Sequence, residues 1–155
     1  MIEQYNLSFL NLKSIENVIL RLPSNTHGLL TNGTSSFNVG MPLLLHKELH
    51  GLYLIIQQYV KLYTSKYNLQ FSKMINSWYN ITEPESELQK HNHGNNGLSG
   101  ALYVSVGNKS VPLIFPDTEI QPYSGLFIIF PSHLNHYTEK EKERRVVISF
   151  NTEFL

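Results

Sequence analysis

Apolar and polar positions change rhythm twice along this chain. Over residues 5–22 two short runs, YNLSFLNL and NVILRL, flank the charged Lys13-Ser14-Ile15-Glu16 and close on Pro23-Ser24-Asn25, a pattern that predicts a pair of edge strands. Residues 26–40 are rich in Gly, Ser, Thr and Asn with little periodicity, which predicts a loop long enough to be mobile or to lie over something, a plain connector in the first instance and a lid only as the alternative. From Pro42 to about Lys66, Leu45, Leu49, Leu52, Ile56, Tyr59, Val60 and Tyr63 recur at helical spacing, so one long helix is expected, its apolar stripe needing a sheet to cover. After Asn68 the rhythm becomes that of strands. FSKMINSWYN, ELQKHNH, LSGALYVSV, VPLIF, GLFIIF and RRVVISF are short β-rich runs, with Gly107-Asn108 and Pro116-Asp117 as turn signals between them. Such a series predicts an antiparallel sandwich or barrel. The expected organisation is one mainly β (α+β) domain over 1–155, with N-terminal strands and helix in 1–68 and the β core in 69–155.

Composition narrows the chemistry. The 155 residues carry 12 basic and 12 acidic side chains, and the mixed run from Glu139 to Arg145 is no basic stripe, so nucleic acid is an unexpected partner. There is no cysteine, which excludes disulfides and thiolate metal sites; any metal must be held by imidazole, carboxylate, amide or water. The N-terminus has neither a basic n-region nor a continuous apolar stretch, and no apolar run reaches membrane-spanning length, so a cytoplasmic protein is expected.

Among the seven histidines, His91 and His93 stand at i and i+2, where an extended strand projects both side chains from one face, as two ligands of one ion require. The segment Phe130-Pro131-Ser132-His133-Leu134-Asn135-His136, just after the apolar GLFIIF run, offers a third ligand in His133 or His136. A lone His-x-His is also common at polar strand ends. His46 and His50 form a second pair at i and i+4 on the expected helix; the glutamate of HKELH is misplaced for an HExxH zinc site, and solvent-facing helix positions account for both. In the last run, alternation puts Arg145, Val147 and Ser149 on one face and Arg144, Val146, Ile148 and Phe150 on the other. A buried Arg145 guanidinium would need an anion, and with no acidic residue assigned to that face a ligand is one candidate. The alternative is a surface arginine paired with Glu141 or Glu143.

In order, Ser77-Trp78-Tyr79-Asn80, His91-x-His93, Leu98-Ser99-Gly100-x-x-Tyr103, Gly125-Leu126-x-x-x-Phe130-Pro131-Ser132-x-Leu134-x-His136 and Arg145-x-x-x-Ser149-Phe150-Asn151 resemble the small iron(II)/2-oxoglutarate-dependent oxygenases of viral and bacterial type. The resemblance spans 77–151, and several motifs in the right order are more specific than any one alone. It implies a double-stranded β-helix, or jelly roll, with Fe(II) at its open end. His91 matches the first histidine of the family's motif and His136 the distal one, which selects His136 over His133. Arg145, nine residues further on, matches the arginine that pairs with the far carboxylate of 2-oxoglutarate, and Tyr103 occupies a position from which related enzymes direct a hydroxyl at that carboxylate; Ser149 shares the face of Arg145. One departure stands out: the wider superfamily has an acid where this chain has His93, so the implied centre is His91, His93 and His136, with one negative charge fewer.

The implied activity is a dioxygenase reaction in which O2 and 2-oxoglutarate give succinate and carbon dioxide while a C–H bond of an unidentified primary substrate is hydroxylated. A cupin-like metal- or ligand-binding module, or a virion component, is the alternative; Arg145 discriminates, since a structural metal site has no use for it. A three-histidine zinc hydrolase lacks a general base beside the histidines. The residues expected to select the substrate lie in 26–40, 81–89 and 117–123. The N-terminal strand pair is a candidate homodimer edge.

Overall fold

The computed structural model describes all 155 residues. Eight strands and two α-helices follow in the order β1 (Glu3–Asn6), α1 (Leu12–Leu20), β2 (Gly33–Ser35), α2 (His50–Lys66), β3 (Ser72–Thr82), β4 (Leu98–Ser105), β5 (Leu113–Ile114), β6 (Glu119–Ile120), β7 (Leu126–Pro131) and β8 (Arg145–Phe154). Six of the strands form an antiparallel sheet in the order β1-β7-β4-β8-β3-β2.

The second layer is shorter and irregular. β5 pairs with β6, and isolated bridges tie Ile114 to Tyr137, His91 to His136 and Leu30 to Leu88. Segments near residues 30, 88–91, 136–137, 114 and 120 thus lie side by side opposite the large sheet, closing a jelly roll. The ELQKHNH run belongs to this layer as an extended, bridge-paired segment, not as a regular strand.

Alternation assigns the faces. Tyr79 and Ile81 of β3, Leu98 and Leu102 of β4, Phe127 and Ile129 of β7, and Val146, Ile148 and Phe150 of β8 pack against α1 and α2 in the larger core. α2 contributes Leu52, Ile56, Val60 and Tyr63 to it, all buried. The intervening residues face the second layer, where Ala101, Tyr103, Leu126, Ile128, Phe130 and Val147 meet Leu113, Phe115 and Ile120. No helix is long and apolar enough to cross a membrane.

Two N-terminal expectations are corrected. The expected strand pair over 5–22 is one strand, β1, followed by a helix, α1. The run LKSIENVIL is amphipathic at helical spacing, with Val18 and Ile19 buried, and Asn11 caps it by accepting from the Ser14 N–H at 3.1 Å. Tertiary burial of that stripe outweighs the β propensity of Val18 and Ile19. The expected continuous helix from Pro42 is two 3₁₀ turns, Leu43–Leu45 and Lys47–Leu49, before α2 begins at His50. His46 sits between the turns with extended backbone (ψ 132°), so His46 and His50 do not share a helix face.

Candidate metal centre and cavity

Between the large sheet and the second layer lies a cavity of about 480 Å³. Its sheet wall is built by alternate residues of adjacent strands: Trp78, Asn80 and Thr82 of β3, Arg145, Val147 and Ser149 of β8, and Ser99, Ala101 and Tyr103 of β4. The register places Ser149 beside both Trp78 and Ala101. Opposite them stand His91, His93 and His136.

The three histidines converge through backbone pairing across layers. His91 and His136 exchange backbone hydrogen bonds (3.2 and 2.9 Å), and the His93 N–H donates to the Ser132 carbonyl at 2.9 Å. Their rings come within 4.3–5.3 Å, centroid to centroid. One ligating nitrogen from each lies within 4.8 Å of the others, so an ion with bonds of about 2.1 Å is reached by small ring rotations. His133 is not in the group.

The protonation state of these rings suits a metal. Burial holds all three below the ordinary imidazole range, His93 down to about 3 and His136 down to about 4, the latter two also lowered by neighbouring histidines. Neutral imidazole is the ligating form, and which nitrogen is free depends on the partner of the other. Nδ1–H of His91 donates to the Gln89 carbonyl at 2.7 Å and that of His136 to the Leu134 carbonyl at 3.0 Å, leaving both Nε2 lone pairs free.

His93 Nδ1 lies 3.4 Å from the carboxamide of Asn151, which is tied through Ser99 Oγ (2.7 Å) to Ser132 Oγ (3.1 Å). The Asn151 amide nitrogen faces His93 Nδ1 and its oxygen accepts from Ser99 Oγ; exchanging the two by a flip of the carboxamide would let His93 Nδ1–H donate to the oxygen, the amide nitrogen donate to Ser99 and Ser99 donate to Ser132. In that orientation all three imidazoles present Nε2. No sequence signal singled out Asn151 for this part beyond its place in the family motif.

Arg145 is buried, its side chain 5% exposed, and it combines both readings of the sequence. It faces the cavity, yet it has an acidic partner: Nη1 lies 2.9 Å from Glu141 Oε2 and donates to the Val111 carbonyl at 3.3 Å. Glu141 is fully buried and accepts further bonds from Ser110 Oγ (2.9 Å) and the Val111 N–H (3.1 Å). The expectation that the guanidinium lacks an acidic partner is therefore corrected. Glu141 reaches it because the chain before β8 folds against the 83–87 turn, where the Glu141 N–H donates to the Ser86 carbonyl and the Glu85 N–H to the Glu141 carbonyl. Even so, the pair uses only one side of the fork: Arg145 Nε is buried without a partner. Glu143 instead accepts from the Lys109 N–H, and Arg144 pairs with Glu83 on the outside.

Tyr103, buried on β4, has its ring 5.8 Å from the Arg145 guanidinium carbon. Burial pushes its hydroxyl above the ordinary phenol range, so it stays a neutral donor. Ser149 lines the cavity beside them. The expected loop 26–40 contains the short strand β2, and it lies over the site instead of being the plain connector expected first, placing His27, Leu29, Leu30, Phe37 and Asn38 in the cavity wall; Leu88 joins from 81–89, and nothing from 117–123 reaches it. His27 was not singled out by sequence, since an isolated histidine in an aperiodic loop carries no spacing signal.

Comparison with solved structures turns on this architecture. Viral collagen prolyl hydroxylase vCPH from Paramecium bursaria Chlorella virus-1, solved as a 2OG complex, superposes with a TM-score of 0.74 at 14% identity, covering 99% of this chain and 96% of that one. This chain has the jelly-roll fold of the 2-oxoglutarate/Fe(II) oxygenases. A prolyl-4-hydroxylase from Pseudomonas putida gives 0.73 at 13% identity, covering 99% and 92% of the two chains. HygX from Streptomyces hygroscopicus, with nickel and 2-oxoglutarate bound, gives 0.71 at 10%, covering 98% and 82%. No protein-family model matches the chain, and no curated protein matches it in sequence.

Proposed function

We propose that this protein is an Fe(II)- and 2-oxoglutarate-dependent dioxygenase whose metal is held by His91, His93 and His136. The observation that carries this reading is the placement of three neutral, convergent imidazoles and a half-partnered arginine on the walls of one cavity. When bound, the metal supplies the activation of O2 that couples decarboxylation of 2-oxoglutarate to hydroxylation of a C–H bond.

The chain's own residues bind and orient. Nε2 of each histidine is the metal-facing nitrogen, fixed by the Nδ1 partners of His91 and His136 and by Asn151 at His93. Arg145 offers the Nε side of its fork to the distal carboxylate of 2-oxoglutarate, and an anion there satisfies a donor that is otherwise buried unpaired. Glu141 and the Val111 carbonyl hold the guanidinium from behind, so it is pre-oriented before the cosubstrate arrives. The Tyr103 and Ser149 hydroxyls add neutral donors on the same wall. Phe115 and Phe130 pack on His136 at 5.8 and 5.0 Å and shield that side of the centre from water.

The charge balance favours this reading despite the missing acid. A superfamily centre with one carboxylate ligand, Fe(II), 2-oxoglutarate and an unpaired arginine is neutral overall; so is one with three imidazoles, Fe(II), 2-oxoglutarate and an arginine paired with Glu141. A zinc hydrolase is disfavoured, since Glu141 is buried, already accepts several hydrogen bonds, and does not line the cavity.

The test is succinate formation from 2-oxoglutarate by anaerobically purified, iron-loaded protein given O2, together with 2-oxoglutarate titration. Slow uncoupled turnover and measurable 2-oxoglutarate binding are expected. Metal binding without either would instead mark a cupin-like binding module.

A further inference from the structure

Once the triad and the Arg145 wall are accounted for, two polar groups of the cavity lining remain unused. Asn80 lies on the cavity face of β3 between Trp78 and Thr82, and its carboxamide oxygen is buried with no hydrogen-bond partner. His27 is 9% exposed, and its Nδ1 accepts from the Leu29 N–H at 3.0 Å. The ring is therefore the neutral tautomer with its proton on Nε2, and that nitrogen has no protein partner.

The surroundings are apolar and uncharged. Phe37 stands edge-on to Trp78 at 4.9 Å and packs on His27 at 4.7 Å, while Trp78 lies 5.9 Å from His93. Leu29, Leu30 and Leu88 complete the wall, Arg145 is the one cationic side chain that lines the cavity, and no anionic side chain lines it, Glu141 lying behind Arg145. A cationic substrate group would be desolvated here without a counter-ion, and an anionic one would be drawn to Arg145.

We propose that this wall is the subsite for the primary substrate and that it takes an uncharged amide group with an apolar flank. The amide N–H donates to Asn80 Oδ1, the amide carbonyl accepts from His27 Nε2–H, and the apolar flank lies against Trp78 and Phe37, next to the three histidines. Asn80 Oδ1 is a buried acceptor without a partner and His27 Nε2–H an open donor, and a donor–acceptor pair on the ligand serves both, which a lone carbonyl or a hydrocarbon does not. This inference rests on the oxygenase reading for the meaning of the subsite, though not for its binding chemistry.

Trp78 is the only tryptophan, so intrinsic fluorescence reports occupation of this wall. The full chain, without added metal or 2-oxoglutarate, is titrated with N-acetyl-L-leucinamide as a peptide-type amide and with thymidine as a ring amide. L-leucinamide, which keeps the side chain and the carboxamide but carries a positive charge, serves as the comparison. At least one neutral amide is expected to bind, about tenfold tighter than the cationic analogue, and the tighter of the two identifies the source of the amide. His27→Phe and Asn80→Leu should each weaken that binding about fivefold or more with the melting temperature retained. The charge comparison needs no variant, so it decides even if both substitutions unfold the protein. The cationic analogue binding as well as the neutral amides, variants binding like wild type, or no fluorescence change with any probe would overturn the proposal. Probe binding without succinate formation would sink the oxygenase reading and leave the subsite standing.

Discussion

The two faces of the six-stranded sheet come from alternate residues of the same strands and meet opposite demands. Toward α1 and α2, Ile148, Phe150, Leu102 and Phe127 are almost completely excluded from solvent and fill space without a polar atom. Toward the second layer, the neighbouring positions carry Arg145, Ser149, Ser99, Asn151 and Asn80, and part of their hydrogen-bonding capacity is left open. The filled face stabilises the sheet, and the open face exploits that rigidity. Polar groups such as Arg145 Nε and Asn80 Oδ1 stay poised for a ligand because the packing behind them prevents rearrangement.

The sharpest way to break this division is at Arg145. Arg145→Gln should strand the Glu141 charge in the interior and cost about 3–5 kcal/mol in denaturant unfolding, as well as abolish 2-oxoglutarate binding. Adding Glu141→Gln should recover most of the stability and none of the binding, which separates the two contributions of the pair. On the opposite face, Phe150→Ala should cost a similar 3–5 kcal/mol while leaving metal stoichiometry intact, measured by calorimetric titration of the folded fraction. Loss of 2-oxoglutarate or metal binding in folded Phe150→Ala as large as the loss of 2-oxoglutarate binding in Arg145→Gln would contradict the division.

A smaller effect is expected at Asn151. Asn151→Leu removes the carboxamide whose flipped oxygen would accept from His93 Nδ1–H and should weaken Co(II) or Fe(II) binding about 10–100-fold with little change in melting temperature, whereas Asn151→Asp, which can only accept there, should retain binding. The mildest perturbation is acid. In the metal-free protein the three histidines bind protons less readily than in the unfolded chain, so stability is complete above about pH 6.5. It should fall as the pH drops from there toward 4 and 3, where His136 and His93 finally charge. A melting temperature flat across that range would show that the imidazoles are not held neutral by burial.

Much of the β architecture was legible in the chain because a strand's side-chain period is local. The alternation in RRVVISF assigned Arg145 and Ser149 to one face and Val146, Ile148 and Phe150 to the other, as the structure has them. The N-terminal region was less legible: Val18, Ile19 and Leu20 have mixed propensities, and their helix forms because Asn11 caps it and its stripe finds the sheet. The break between Pro42 and α2 was hidden for the converse reason, since the leucine spacing persists through backbone that is not α-helical.

By itself, then, the sequence determined which residues alternate, that any metal site must be built without thiolates, and that histidines and an arginine stand at spacings resembling one oxygenase family. Only the tertiary structure decided that His91 pairs with His136 across more than forty intervening residues, that Glu141 sits behind Arg145, and that His27 and Asn80 share the cavity with them. Alternation and helical period follow from local backbone geometry, so they can be read along the chain. The meeting of distant segments depends on how the two layers close on each other, and no local period encodes that distance.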